Sequence, residues 1–179
     1  DKILQRVKFL GTNQKPTLSV NYSQLVMKII DQLYNNIPTH IIDELMAEQC
    51  ASLTTKHLDY GILSSRIIVS NNHKNTTERF SEAMDILYNY CDVHGIHKPL
   101  IHKDTWSISQ KQKEKINEMI DHSRDYLFDY FGFKTLERAY LIRVDKKVIE
   151  RPQYMWMRVA IGIHGEDLER VKETYDLLS

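Results

Sequence analysis

Cysteine is nearly absent from this 179-residue chain: there are two, Cys50 and Cys91, with no paired-motif spacing. That argues against a disulfide scaffold, and each thiol is expected to act as a small buried hydrophobe in a reducing, cytoplasmic setting. Glycine is also sparse, six residues scattered singly, so no glycine-rich phosphate loop can be drawn. Charge of one sign is lacking too. Lysine plus arginine equals aspartate plus glutamate, 24 against 24, which leaves no electrostatic footprint for nucleic acid. No run approaches the roughly 18 to 20 apolar residues of a membrane span, and no basic-then-apolar leader opens the chain. Neither a nucleic-acid nor a membrane partner is expected.

Hydrophobic residues make up 42% of the sequence and charged residues 27%, enough for a buried core in one or two domains. Their spacing is mostly helical. Apolar residues three and four apart predict a helix over 23–35, carrying Leu25, Ile29, Ile30, Leu33 and Tyr34. A second begins at Pro38-Thr39, with Thr39 as N-cap, and carries Ile41, Ile42, Leu45, Met46 and Leu53. A third covers 60–69. Asn75-Thr76-Thr77-Glu78 reads as a capping box ahead of a helix bearing Phe80, Met84, Ile86, Leu87 and Tyr90.

Gly95 and Pro99 break the pattern between Cys91 and Thr105, and helix resumes over 109–122. Then "AYLIRV", Asp145-Lys146-Lys147 and "VIE" read as a short β-hairpin stopped by Pro152. The remainder divides at Gly162–Gly165, with a closing helix over 167–178.

Three groups of residues could carry chemistry. Cys91, His94, His97 and His102 are zinc-ligand types, but one sulfur at irregular spacing favours a solvated loop, and no metal is expected. Ser64 and Ser65 lie inside a helical pattern without a nucleophile elbow or base, where serines serve close helix packing. Thr39 at a helix start offers a hydroxyl, free backbone donors and a positive dipole end, with Lys2, His73 and Lys74 as possible cations for an anion. Nothing in the chain supplies a catalytic apparatus.

Four ordered stretches, "LTTKHLDYGILSSRIIVSNNHK", "YFGFKTLERAYL", "ERPQYMWMRVAIGIH" and "ETYDLLS", resemble the large, catalytic subunit of class I ribonucleotide reductase. The likeness runs along nearly the whole chain, to the amino-terminal part of that subunit. It implies a mainly α fold: most of an ATP cone over residues 1–76, lacking its amino-terminal basic hairpin, then a helical region over 77–179. That second region has one short β-hairpin and leads toward a ten-stranded α/β barrel not included here. Neither Cys50 nor Cys91 matches a catalytic cysteine of the family, so the stretch alone is expected to be inactive.

The resemblance also assigns effector contacts. Asp1 and Lys2 match positions in the segment that meets the nucleotide, Thr39 a nucleotide-contacting threonine, Asp43 the acidic position one turn later, and Lys74 a phosphate-binding lysine. ATP and dATP are then the allosteric effectors, with no covalently bound cofactor. The implied partners are a separate metal-containing small subunit that supplies the radical, and further copies of the large subunit. An alternative is a degenerate cone that serves only as a helical subunit-interaction module. Lys134, Glu137 and Arg138 of the "FGFKTLER" run are expected in buried or interface pairs rather than at an active-site rim.

Overall fold

The structure, a computed structural model, describes residues 2–179. Among them run α1 (Lys2–Thr12), α2 (Tyr22–Ile30), α3 (Thr39–Ser52), α4 (Leu58–Asn75), α5 (Phe80–Tyr88), α6 (Lys103–Lys111) and α7 (Lys113–Met119). A 3₁₀ turn (His122–Leu127) precedes α8 (Tyr130–Ala139), a hairpin of β1 (Arg143–Val144) and β2 (Lys147–Val148), α9 (Pro152–His164) and α10 (Leu168–Leu178). The chain is therefore mainly α with one small antiparallel pair, in which Arg143 faces Val148 and Val144 faces Lys147. No described helix is long and apolar enough to cross a membrane.

The framework divides into two compact units. One comprises residues up to Asn72 together with Tyr126–Lys134; the other comprises His73–Asp125 and Thr135–Ser179.

In the first unit, Val7 and Leu10 of α1, Leu25 and Ile29 of α2, Met46, Ala47 and Cys50 of α3, and Leu63, Ile67 and Ile68 of α4 share one core with Phe133. Every residue from 63 to 69 in α4 is buried, which marks it as the central helix of that unit. The polar members of that run are satisfied internally. Ser64 Oγ donates to the Ala47 carbonyl at 2.6 Å, and Ser65 Oγ donates to the Phe128 carbonyl. The Arg66 guanidinium reaches the carbonyls of Leu10 (3.1 Å), Gly11 (3.3 Å) and Pro16 (2.8 Å), which tie down the end of α1 and the chain beyond it. Gly11 is glycine for a steric reason, since a Cβ there would lie 2.1 Å from the Tyr22 hydroxyl.

The second unit packs Phe80, Met84 and Leu87 of α5, Ile108 and Ile116, Tyr154, Met157 and Ile161 of α9, and Val171 and Tyr175 of α10 around another core. Asp167 caps α10 by accepting from the Arg170 N–H at 3.3 Å. The hairpin turns through Asp145 and Lys146, both left-handed at φ 47° and 68°.

Several local expectations shift. Pro38, not Thr39, is the N-cap of α3 and makes no side-chain cap bond; Thr39 is its first helical residue. The expected capping box is not one, because α5 starts at Phe80 with Arg79 at the N-cap position. The helix expected over 23–35 ends at Ile30, and the chain continues in i→i+3 turns. The helix expected over 109–122 is two helices broken at Gln112. Cys50 is buried as expected, whereas Cys91 is exposed.

Candidate functional site

In the first unit, α1 and α3 place one charged pair. Arg6 Nε donates to Asp43 Oδ1 at 2.8 Å and its Nη2 to Oδ2 at 2.7 Å, a two-pronged contact. The same guanidinium reaches Ser70 Oγ at 3.3 Å. Asp43 is buried, 3% exposed, so its charge is balanced inside the protein rather than by water. One turn earlier on α3, Thr39 is exposed, as is Lys2 on the first turn of α1. Of the first-turn backbone N–H groups of α3, that of Ile41 donates to the Pro38 carbonyl at 3.0 Å. Asp1 lies outside the described residues. Lys74, exposed in the last turn of α4, belongs to the second unit.

In the second unit, "ERPQ" is wholly buried and acts as a polar hub. Glu150 accepts from the Ile142 N–H at 3.0 Å and from Arg158 Nε at 2.6 Å. Arg151 donates to Thr76 Oγ1 (3.0 Å) and to the His73 carbonyl (3.2 Å). Gln153 gives its backbone N–H to Asp125 Oδ1 at 3.2 Å and accepts the Tyr175 hydroxyl proton at 2.7 Å.

Asp125, fully buried, also faces two imidazoles: His73 Nε2 at 2.6 Å and His122 Nδ1 at 3.8 Å. Burial pushes the Asp125 carboxyl up, but His122, His73 and Gln153 outweigh it and hold the group below its ordinary value. Burial holds the His73 imidazole below its ordinary value against the pull of Asp125. Burial likewise raises the Tyr154 and Tyr175 hydroxyls.

The residues weighed for zinc on sequence grounds do not gather. His97 Nε2 lies 2.7 Å from the Tyr88 carbonyl, His102 Nδ1 accepts from the Asp104 N–H at 3.3 Å, and Cys91 pairs with His97 only as an isolated backbone bridge. Among the described residues the set of metal-ligand types that does gather is His73, His122 and Asp125. It draws on positions 52 residues apart, a separation that spacing patterns cannot reveal.

Residues 126–179 match the family model described as "Ribonucleotide reductase, all-alpha domain". Across the whole chain, curated relatives are similar at close to half of all positions. The ribonucleoside-diphosphate reductase large subunit of Vaccinia virus (strain Copenhagen) is 46% identical over 182 residues, covering 100% of this chain and 23% of the relative. Those of Caenorhabditis elegans and Danio rerio are 45% and 47% identical, with 23% and 22% of the relative covered. The chain is thus similar, over its full length, to ribonucleotide reductase large subunits. It spans less than a quarter of the length of these relatives and corresponds to their amino-terminal part.

The stretch matched by the family model, 126–179, includes both "FGFKTLER" and "ERPQ". In α8, Phe133 is buried, Lys134 and Glu137 are half-buried, and Arg138 is exposed, so only part of the expected charged set is taken inside. The Glu137 carbonyl accepts from Arg143 Nη2 at 2.7 Å, which ties the end of the helix to the hairpin. Sequence reasoning missed Arg6 as the partner of Asp43. The helical face shared with Lys2, four residues earlier, was the available signal, but nothing in the sequence names a partner 37 positions away.

Proposed function

We propose that this chain is the amino-terminal section of a ribonucleoside-diphosphate reductase large subunit and carries its control by ATP and dATP. The observation behind it is the 46% identity that extends over the entire chain. Residues 1–76 form the regulatory cone and 77–179 the helical region that follows. The complete enzyme reduces ribonucleotides to 2′-deoxyribonucleotides by thiyl-radical chemistry, with the radical supplied by a metal-containing small subunit. The large subunit works as a dimer or higher oligomer.

This section adds regulation rather than redox chemistry. Cys50 is buried with its thiol pushed up to about 12, which makes it a poor nucleophile, and Cys91 lies on an exposed loop. The proposed effector contacts are Asp1, Lys2, Thr39, Asp43 and Lys74. An exposed hydroxyl at a helix start suits a phosphate or ribose oxygen, and lysine serves phosphate as a point charge. Isothermal titration of the full chain with ATP and dATP tests this. Saturable binding that Lys74→Ala weakens by 10-fold or more is expected. Absence of binding, or an unchanged Lys74→Ala, overturns the site.

One observation favours a second reading, a cone that only mediates subunit contacts. Both oxygens of Asp43 are taken by Arg6, so that carboxylate is already engaged. Under that reading neither nucleotide shifts the oligomeric state of the full chain in sedimentation. Under the first, dATP does.

A further inference from the structure

We propose that His73, His122 and Asp125 form a binding site for a divalent transition metal, with zinc the best match. Their ligand atoms, two imidazole nitrogens and one carboxylate oxygen, all lie within 4.8 Å of one another. These are zinc's usual nitrogen and oxygen donors, and bonds of about 2.0–2.1 Å in a tetrahedron set ligands about 3.3 Å apart. His73–Asp125 at 2.6 Å is somewhat inside that edge and His122–Asp125 at 3.8 Å somewhat outside it. Movements well under a residue's width bring all three to bonding distance.

A second observation is independent of this spacing. His122 Nδ1 is buried and has no hydrogen-bond partner, although it faces the carboxylate. A buried polar atom in a native protein is normally satisfied, and a metal ion between His122 and Asp125 would satisfy this one.

The surroundings suit a site that orients its ligands. The Gln153 N–H holds Asp125 Oδ1, which leaves Oδ2 toward the two imidazoles. The Tyr154 ring packs edge-on against His122 at 5.3 Å, and the His73 ring does so at 5.6 Å. Such outer contacts fix ring orientation in metal sites. The set holds a single carboxylate, and the Arg151 cation bonds the His73 carbonyl, so affinity will fall below that of thiolate-rich zinc sites. Three protein ligands leave a fourth position for water or a small ligand.

The test is titration of the full chain with Co²⁺, read by its visible ligand-field absorption, with Zn²⁺ as competitor. The variants are His122→Ala, His122→Cys and, as a surface-histidine control, His97→Ala. One equivalent of Co²⁺, displaced by Zn²⁺, should be lost in His122→Ala and kept in His97→Ala. His122→Cys should restore it with a thiolate-to-cobalt charge-transfer band. Metal sites elsewhere in the full chain persist through these changes and cancel in the comparison. Metal-free circular dichroism establishes that His122→Ala is folded. Equal Co²⁺ stoichiometry in parent and His122→Ala, or no displaceable equivalent in the parent, overturns the proposal. So does a His122→Cys that is folded yet shows no charge-transfer band.

Discussion

Burial separates two thiols that the sequence treats alike. Cys50 packs among Met46, Ala47 and Ile67 with no exposed surface, and burial pushes its thiol up to about 12. Cys91 is exposed beside a turn. Since only thiolate attacks, iodoacetamide at pH 8 should label Cys91 rapidly in the folded chain and leave Cys50 unmodified until denaturant is added. Peptide mapping reads this directly, and equal labelling of both before unfolding would show that Cys50 is not packed as described. The sequence supported a buried role for both. It failed at Cys91 because that position follows an apolar helix but falls just past its end, where Gly95 reverses the chain. Asp43 shows a similar limit. Its place on α3 was legible, but its pairing with Arg6 is a tertiary fact that no local pattern carries.

Within the 91–98 loop, the Asp92 carboxylate adds to the backbone bonds that close it. Asp92 Oδ1 accepts from the N–H groups of His94 (2.9 Å) and Ile96 (3.0 Å), and Lys98 Nζ lies 2.7 Å from Oδ2. The Lys98 hydrogen bond, then that of Ile96, set the Asp92 carboxyl below its ordinary value of 3.8. A depressed value in the fold means that the loop's stabilisation is complete above that ordinary value and is lost as pH falls through the lower, folded one. Amide exchange of His94 and Ile96 should therefore accelerate only below about pH 4, and Asp92→Ala should reproduce the acid behaviour at neutral pH. Protection unchanged in Asp92→Ala would refute this. The hairpin invites the opposite experiment. Lys146 pays a left-handed penalty at φ 68° that glycine avoids. Lys146→Gly should stabilise the chain by about 0.5–1 kcal/mol, a rise of about 2 °C in melting temperature; a fall would mean the turn is not left-handed. The hairpin was readable from alternation and Pro152. The helix starts were less so, because Thr39 and Asn75-Thr76-Thr77 have cap chemistry but the backbone enters each helix elsewhere.

Two buried arginine or glutamate anchors divide the molecule's polar interior between its units. Helical period and apolar content made the mainly α character legible, and the ordered motifs made the likeness to reductase large subunits legible. The interleaving of 126–134 with the first unit was not, since it depends on Phe133 joining a core built from residues far earlier in the chain. In the first unit, Arg66 satisfies three carbonyls at the end of α1. Arg66→Ala takes the guanidinium from the buried Leu10 carbonyl, while Gly11 keeps the Leu18 N–H and Pro16 is exposed, at a cost of about 1–3 kcal/mol. In the second unit, Glu150 balances Arg158 and holds the Ile142 N–H. Glu150→Ala leaves the Ile142 N–H and a guanidinium that is 23% exposed without their partner, and should cost about 1–3 kcal/mol. Hydrogen exchange followed by mass spectrometry distinguishes the two effects. Arg66→Ala should lower protection first in α1 and the segment to Leu18, whereas Glu150→Ala should lower it first around the hairpin and α9. Because each anchor bonds backbone within its own unit, the order of loss is a direct readout of which polar contacts hold which helices. An Arg66→Ala that left α1 fully protected would show that the apolar contacts of Val7 and Leu10 suffice to hold that helix without the arginine.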